Sequence, residues 1–321
     1  MRKLVLIDGN AIVHRAFHAL PPMNNSQGQL TNAAYGFFSM VLKIVQDLSP
    51  QYLIVTFDRA APTFRKQMYA GYQATRPTMS DDLSPQFKLV HDVLKRAKIK
   101  IEEIDGFEAD DLIGTLAEQA KKDRKLQVII LTGDRDLLQL VDKNVLIIAP
   151  ITGVTKTVLF DEEKVREKYG LEPHQLIDYK SLVGDASDNY PGVSGIGPKT
   201  ASDLVKRFHT LEGIYENLAE IAPGVQLKLA NDAEQAALAK KLATIERNAP
   251  VKLHLRESEM AKADMQAMFL AFNELGFRSL IARFGSFDSV QKFTKQNEPK
   301  KLSEAKSASG GKDDDEQLGL L

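Results

Sequence analysis

Short apolar runs that stop abruptly at acidic residues mark the first half of the chain. Leu4–Ile7 stops at Asp8-Gly9-Asn10, Tyr52–Phe57 stops at Asp58, and Val128–Leu131 leads at once into Thr132-Gly133-Asp134-Arg135-Asp136. Runs this short, bounded by turn residues, predict buried strands. Lys100–Ile104 predicts a further short strand. Val145–Ile148 and Val154–Phe160 predict two more about the turn near Gly153. Between them, about Ala11–Ala19, Ala33–Leu48 and Ala109–Lys122 show helical spacing. Residues 59–100 read as mostly helical, broken at Pro77 and Pro85, and Pro21–Gln29 reads as a loop. Strands alternating with helices predict an α/β fold around a central, mostly parallel sheet with helices on both faces.

After Asp161 the pattern turns mostly helical. Glu162–Tyr169, His174–Val183, Pro198–Phe208, Gln226–Arg247 and Ala263–Leu275 are the expected helices, with a glycine-rich stretch from Gly184 to Gly197. From about Ser289 the apolar periodicity disappears. Lys, Ser, Gly and Asp dominate to Glu316, which predicts a disordered tail. The tail turns apolar again in Gln317-Leu318-Gly319-Leu320-Leu321. The expected organisation is an α/β core over 1–161, a helical region over 162–288 and a tail over 289–321.

Composition removes several kinds of chemistry. The 321 residues include no cysteine, which excludes disulfides, thiolate metal sites and cysteine nucleophiles. No apolar run approaches the ~18 residues that a membrane span needs. The apolar stretch after Met1-Arg2-Lys3 is too short for a signal peptide. A soluble cytoplasmic protein is the expectation. The formal net charge is −1, from 42 basic and 43 acidic residues, which on its face argues against a nucleic-acid binder. The acids are unevenly placed, however. Nine of them fall just after predicted strands or at helix starts, and against the other 34 the 42 basic residues leave +8.

Those nine are Asp8, Asp58, Glu108, Asp110, Asp111, Asp134, Asp136, Asp185 and Asp188. Ligands of open α/β sheets bind beyond the carboxyl ends of the strands, where four of the nine must lie. Converging carboxylates repel, and desolvation adds to the cost, unless cations neutralise them. Oxygen-only donors suit Mg²⁺ or Mn²⁺. Nine carboxylates exceed the needs of one ion. Two ions ~4 Å apart fit better, a geometry suited to in-line phosphodiester hydrolysis.

Other motifs are weaker. Gly192–Gly197 followed by Lys199-Thr200 imitates a Walker loop, but Pro198 intervenes and no strand precedes it. His14 and His18 stand four apart, yet Arg15 occupies the place where a zinc-protease helix needs Glu. Two segments suit nucleic acid. Gly195-Ile196-Gly197-Pro198-Lys199-Thr200 sits between helices, where a glycine turn exposes backbone N–H groups to phosphate. Residues 59–100 hold nine Lys/Arg against three Asp, interleaved with Phe64, Tyr69, Tyr72 and Phe87, a pattern that suits single strands.

Taken in order, Asp8-Gly9-Asn10, Phe57-Asp58, Gly106-Phe107-Glu108-Ala109-Asp110-Asp111, Thr132-Gly133-Asp134-Arg135-Asp136, Gly184-Asp185-Ala186-Ser187-Asp188-Asn189 and Gly195-Ile196-Gly197-Pro198-Lys199-Thr200 closely resemble the 5′-nuclease domains of the flap endonuclease family. The resemblance covers about Met1 to Phe287. It implies a helical arch at about 62–98 that takes a 5′ single strand, and a helix–hairpin–helix that grips duplex. It also implies a first metal site from Asp8, Asp58, Glu108, Asp110 and Asp111, and a second from Asp134, Asp136, Asp185 and Asp188. Two Mg²⁺ ions, with Mn²⁺ as a substitute, and K⁺ at the hairpin are the implied cofactors. Arg65, Lys66, Tyr72, Arg76, Gly195, Gly197, Lys199 and Thr200 are the implied DNA contacts.

The implied reaction is cleavage of DNA near a junction of single strand and duplex, in primer removal and repair, by a monomer. The arch departs from the family pattern: Gln73 follows Tyr72 where lysine is usual, with Lys66 or Arg65 as substitutes. No polymerase follows, so a stand-alone or truncated nuclease is expected. The competing readings are a non-catalytic binder of DNA structures and a ribonuclease similar to PIN domains. The terminal Gln317, Leu318, Leu320 and Leu321 resemble the short peptides by which replication and repair proteins dock on the sliding clamp.

Overall fold

The computed structural model describes residues 1–76, 78–153 and 156–283. The first part runs β1 (Arg2–Asp8), α1 (Gly9–Ala19), α2 (Asn32–Leu48), β2 (Tyr52–Thr56), α3 (Phe64–Met68), α4 (Ser84–Arg96), β3 (Lys100–Glu102), α5 (Ala109–Ala120), β4 (Leu126–Leu131), β5 (Val145–Thr152) and β6 (Lys156–Phe160). The second runs α6 (Glu162–Tyr169), α7 (Leu176–Val183), β7 (Gly184–Asp185), β8 (Tyr190–Pro191), α8 (Pro198–Phe208), α9 (Leu211–Glu216), α10 (Pro223–Asn231), α11 (Ala233–Ala243) and α12 (Met265–Glu274).

The six-stranded sheet has the order β3-β2-β1-β4-β5-β6. β6 alone among them is antiparallel to its neighbour. Strand alternation divides the core. Leu4 and Leu6 of β1 join Ile54, Val128 and Ile130 in packing under Leu112, Ile113 and Leu116 of α5. Val5 and Ile7 face the other way, with Leu53, Val55, Ile129 and Leu131, under α1, α2, α4 and α12. Both faces are therefore covered, which is why these strands read as unbroken apolar runs.

Three expectations are corrected. Residues 59–100 are less helical than the sequence implies: α3 is five residues long, and turns occupy residues 70–75 and 81–83. Pro85 does not break a helix. It lies in the first turn of α4, where its missing N–H costs nothing, while Pro77 is outside the described residues. The single helix expected over Gln226–Arg247 is two helices, parted at Asp232, whose backbone leaves helical values (φ −111, ψ 25). Its carboxylate accepts the Ser194 N–H, 38 residues upstream, at 2.6 Å. His174–Val183 begins as a 3₁₀ turn, Pro173–Gln175, before α7. Val154, Thr155 and the whole 289–321 tail lie outside the described residues. Among those described, no helix is long and apolar enough to cross a membrane.

The hairpin β7–β8 carries Asp185 and closes tightly on α7. Gly184 adopts φ +73, and a Cβ on Gly192 would lie 2.2 Å from the Leu182 carbonyl oxygen and 2.4 Å from the Gly184 nitrogen. Val193 N–H donates to that same carbonyl at 2.8 Å. Gly192→Ala is therefore expected to lower folding stability by ~1–3 kcal/mol. Urea unfolding checks this, and a loss below about 0.5 kcal/mol would show that the hairpin relaxes freely.

Candidate active site

Parallel register lines up the carboxyl ends of three strands. Asp8 pairs with Thr56 of β2, and Ile7 pairs with Leu131 of β4. Asp8, Asp58 and Asp134 therefore emerge beyond one edge. Asp8 and Asp134 are tied to their own turns, as short acids commonly are, and Asp58 to the start of α5. Asp8 caps α1, accepting from Ala11 N–H at 2.9 Å and from Thr132 Oγ1–H at 2.7 Å. Asp58 accepts from Ala109 N–H, the first residue of α5, at 2.7 Å. Asp134 accepts from Asp136 N–H at 2.8 Å.

At the start of α5, Glu108 and Asp111 form a reciprocal capping box. Arg65, from α3, is inserted against it and is only 2% exposed. Its Nε donates to Leu242 O at 3.0 Å, and Nη1 donates to Glu108 Oε2 at 3.1 Å and Asp111 Oδ2 at 2.8 Å. Nη2 donates to Asp111 Oδ1 at 2.8 Å and Thr244 O at 2.9 Å. All five guanidinium donors are thus used. Asp111 also accepts from the N–H groups of Glu108 and Glu246. Two expectations fail here. Asp111 is fully buried with both oxygens saturated, so it is a counter-ion to Arg65 rather than a metal ligand. Arg65 spends all its donors on that pairing, which leaves none for DNA phosphate or for the place of the lysine missing at Gln73.

Ligand atoms of Asp136, Asp185 and Asp188 lie within 4.8 Å of one another. The Lys180 ammonium donates to Asp136 and Asp185. Arg76 Nη2 donates to Asp188 Oδ1 at 2.5 Å, and Gln73 Nε2 to the same oxygen at 3.3 Å. Tyr72 Oη donates to Glu108 at 3.1 Å and Asp188 at 3.3 Å. Backbone bonds finish the attachment: Gln73 N–H to Asp188 O, and Asn189 Nδ2 to Gly71 O. The foot of the arch is thus fastened to the 188–189 turn. Tyr72 is buried, which corrects its expected role as a face for an unpaired base. Lys66 is exposed, and the Arg76 side chain is half-exposed.

Sequence reasoning missed Lys180 and Thr132. A lysine inside the otherwise mostly apolar Leu176–Val183, one turn before Asp185, was the available signal. His14 and His18 assemble no metal site among the described residues: His14 packs edge-on to Phe87, and burial holds its imidazole below the usual value.

Electrostatics reflect the crowding. Burial pushes Asp8 up to about 7, opposed by the Ala11 and Thr132 bonds and aided by Asp134 and Asp58. Burial likewise takes Glu108 to about 7 against the pull of Arg65. Asp136 also reaches about 7, through burial and then the charge of Asp134. Asp58 is raised by burial, and Asp110 is raised well above the ordinary range by burial and then Glu108. Asp110 accepts no hydrogen bond among the described residues. Burial would raise Asp185 too, but the bonds from Lys180 and Ser187 bring it below the usual value. Convergent carboxyls held partly protonated, with oxygen the only donor available, fit a hard divalent cation.

The glycine turn Gly195–Gly197 follows Asp185 and Asp188 in the same segment between α7 and α8. Gly195 adopts φ +74, and Gly197 caps α8 with Pro198 at its start. Gly195, Gly197 and Lys199 are exposed, and Thr200 is half-buried. The residues here do not fit the expected K⁺ well, because Lys228 Nζ already donates to the Gly195 carbonyl at 2.9 Å.

The fold is that of the flap endonucleases and phage 5′-exonucleases. The T5 D15 protein co-crystallized with metal ions superposes with a TM-score of 0.62 at 18% identity, over 90% of this chain and all of that one. Flap endonuclease-1 from Methanococcus jannaschii gives 0.55 at 16% identity, over 91% and 93%. Two family profiles match end to end: "5'-3' exonuclease, N-terminal resolvase-like domain" over residues 3–170, and "5'-3' exonuclease, C-terminal SAM fold" over 171–266. DNA polymerase I of Caldicellulosiruptor bescii is 42% identical over 90% of this chain, which spans about a third (34%) of that relative. The 5'-3' exonuclease of Aquifex aeolicus is 37% identical over 88% of this chain and 94% of its own length. The chain belongs to the 5′–3′ exonuclease family, a family of nucleases.

A pH dependence follows from the raised carboxyls. Asp8 and Asp136 move from 3.8, and Glu108 from 4.5, to about 7 on folding. The folded state therefore binds more protons than the unfolded one across that window, and stability falls as pH rises through it. The metal-free melting temperature is expected to drop between about pH 5 and about pH 8, with added Mg²⁺ raising it more at the upper value. Differential scanning calorimetry checks this. A flat profile with no effect of Mg²⁺ would overturn the electrostatic account.

Proposed function

We propose that this chain is a structure-specific 5′–3′ exonuclease and flap endonuclease that hydrolyses DNA phosphodiester bonds near junctions of single strand and duplex, in primer removal and repair. One observation carries the reading: acids from five separate segments gather at one sheet edge, beside a basic arch and ahead of a glycine-rich hairpin. Asp8, Asp58, Glu108, Asp110 and Asp134, with Asp136, Asp185 and Asp188, would hold two Mg²⁺ ions, or Mn²⁺. Bound there, the ions would supply charge at the scissile phosphate and a more acidic attacking water.

The chain's own residues do the rest. Lys66 and Arg76 present cations to the 5′ strand, while the Gly195–Gly197 turn, Lys199 and Thr200 offer N–H groups and charge to duplex phosphates without reading bases. A bacteriophage T5 D15 flap endonuclease has been crystallised as a pseudo-enzyme-product complex with DNA and metal ions, with a TM-score of 0.62 to this chain, and that supports a DNA substrate here. A pure binder gains nothing from gathered negative charge beside phosphate, which weighs against the non-catalytic alternative. A cytoplasmic monomer, catalytic over 1–161 and duplex-binding over 162–288, completes the reading.

Asp110→Ala removes one proposed ligand and leaves the basic contacts intact. Its single-turnover cleavage of a labelled 5′-flap duplex with Mg²⁺ is expected to fall by about a thousandfold, with flap binding retained. Cleavage within about threefold of the parent would sink the metal assignment.

The C-terminal peptide belongs to the same proposal. Leu320 and Leu321 would enter an apolar pocket on the sliding clamp, with Gln317 and Leu318 at its rim. The tail would raise the local concentration of nuclease at the junction. Deleting residues 317–321 is expected to abolish clamp binding by calorimetry, and equal binding of the full-length and shortened proteins would show that the tail has no such role.

A further inference from the structure

Two buried hydroxyls, those of Tyr169 and Tyr190, have no hydrogen-bond partner among the described residues. Of the two, Tyr190 is the more buried, with a side chain only 3% exposed. A buried hydroxyl left unpaired is costly, so a group that would use it is the first thing to look for. The setting narrows that group. Tyr190 stands directly opposite Asp185 in the β7–β8 pairing. Its ring stacks on Tyr72, centroids 6.5 Å apart and planes 21° from parallel, and the Tyr72 hydroxyl bonds Glu108 and Asp188. Asp185 and Asp188 lie on the same hairpin as Tyr190, and Asp136 is brought beside them. Those three acids are the group whose oxygens converge within 4.8 Å.

We infer that the Tyr190 hydroxyl donates to the water shell of a divalent cation held at Asp136, Asp185 and Asp188. The inference rests on the metal reading given above and adds to it a residue outside the acidic motifs. Small hard cations keep several waters when protein-bound, and those waters need acceptors and donors around them. Three carboxylates supply acceptors only. Lys180, Arg76 and Gln73 already spend donors on the carboxylates themselves. Tyr190 supplies a buried donor that is not spent. Its hydrophobic neighbours Ala239, Leu242 and Ala243 fix the ring, so the hydroxyl has a set position. Tyr190 is thus a positioning residue, acting on the ion's hydration rather than as a direct ligand.

Tyr190→Phe keeps the ring and its stacking and removes only the hydroxyl. Binding of Mn²⁺ to the full chain without DNA, followed by electron paramagnetic resonance, is the direct readout. The variant is expected to bind one Mn²⁺ about tenfold less tightly, as loss of an outer-shell partner typically does. Its metal-free melting temperature is expected to stay equal or rise, because an unpaired buried hydroxyl has been removed. Equal Mn²⁺ affinity in parent and variant overturns the role of Tyr190 and leaves the metal reading intact. A lower metal-free melting temperature overturns it too, by showing that the hydroxyl serves the fold. A parent chain that binds no Mn²⁺ sinks both.

Discussion

The repulsion among carboxylates at one end of the sheet is the constraint around which this molecule is arranged. Strand polarity delivers Asp8, Asp58 and Asp134 to a single edge, and two further turns, at 108–111 and 185–188, add acids to it. The fold answers with three cations drawn from three different elements. Arg65 neutralises Asp111 and part of Glu108, Lys180 bridges Asp136 and Asp185, and Arg76 holds Asp188. Arg65 differs from the other two. It is buried, all its donors are used, and its partners belong to α5 and to the carbonyls that end α11. Removing either member of such a pair strands a buried charge, which makes the pair a structural commitment.

Because Arg65 lies in α3, that commitment also fixes where the arch begins. Seven residues on, Tyr72 reaches the same Glu108, and Gln73 and Arg76 reach Asp188. Gln73 makes the turn with φ +54, a left-handed conformation uncommon outside glycine, and its N–H closes on the Asp188 carbonyl. The acids and the arch therefore share one set of contacts. Positions that look like a DNA-binding surface in sequence are, in part, the counter-charges and clamps of the site itself.

This is where the sequence was legible and where it was not. Apolar runs ending in Asp predicted the parallel strands and the acidic edge, because strand period and turn chemistry are local. The family resemblance then ordered the acidic motifs. What stayed hidden was pairing across long separations. Nothing local distinguishes Asp110, which carries no bond, from Asp111, which is saturated by a residue 46 positions away. Arg65 and Lys66 are adjacent and alike in sequence, yet one is buried and the other in solvent. The break at Asp232 was hidden for the same reason, since the Ser194 N–H that draws its carboxylate lies 38 residues upstream.

Lys180 and Arg76 complete the argument by contrast with Arg65. Both hold acids of the proposed second metal group, but each keeps part of its side chain in solvent, 22% for Lys180 and 50% for Arg76. A partly solvated ion pair is worth far less than a buried, saturated one. A divalent cation entering at Asp136, Asp185 and Asp188 would therefore compete with the pairs made by Lys180 and Arg76 and leave that of Arg65 untouched. The arrangement thus separates two duties that look identical in sequence: Arg65 saturates buried acids at the start of the arch, while Lys180 and Arg76 pair with the acids of the proposed second metal group.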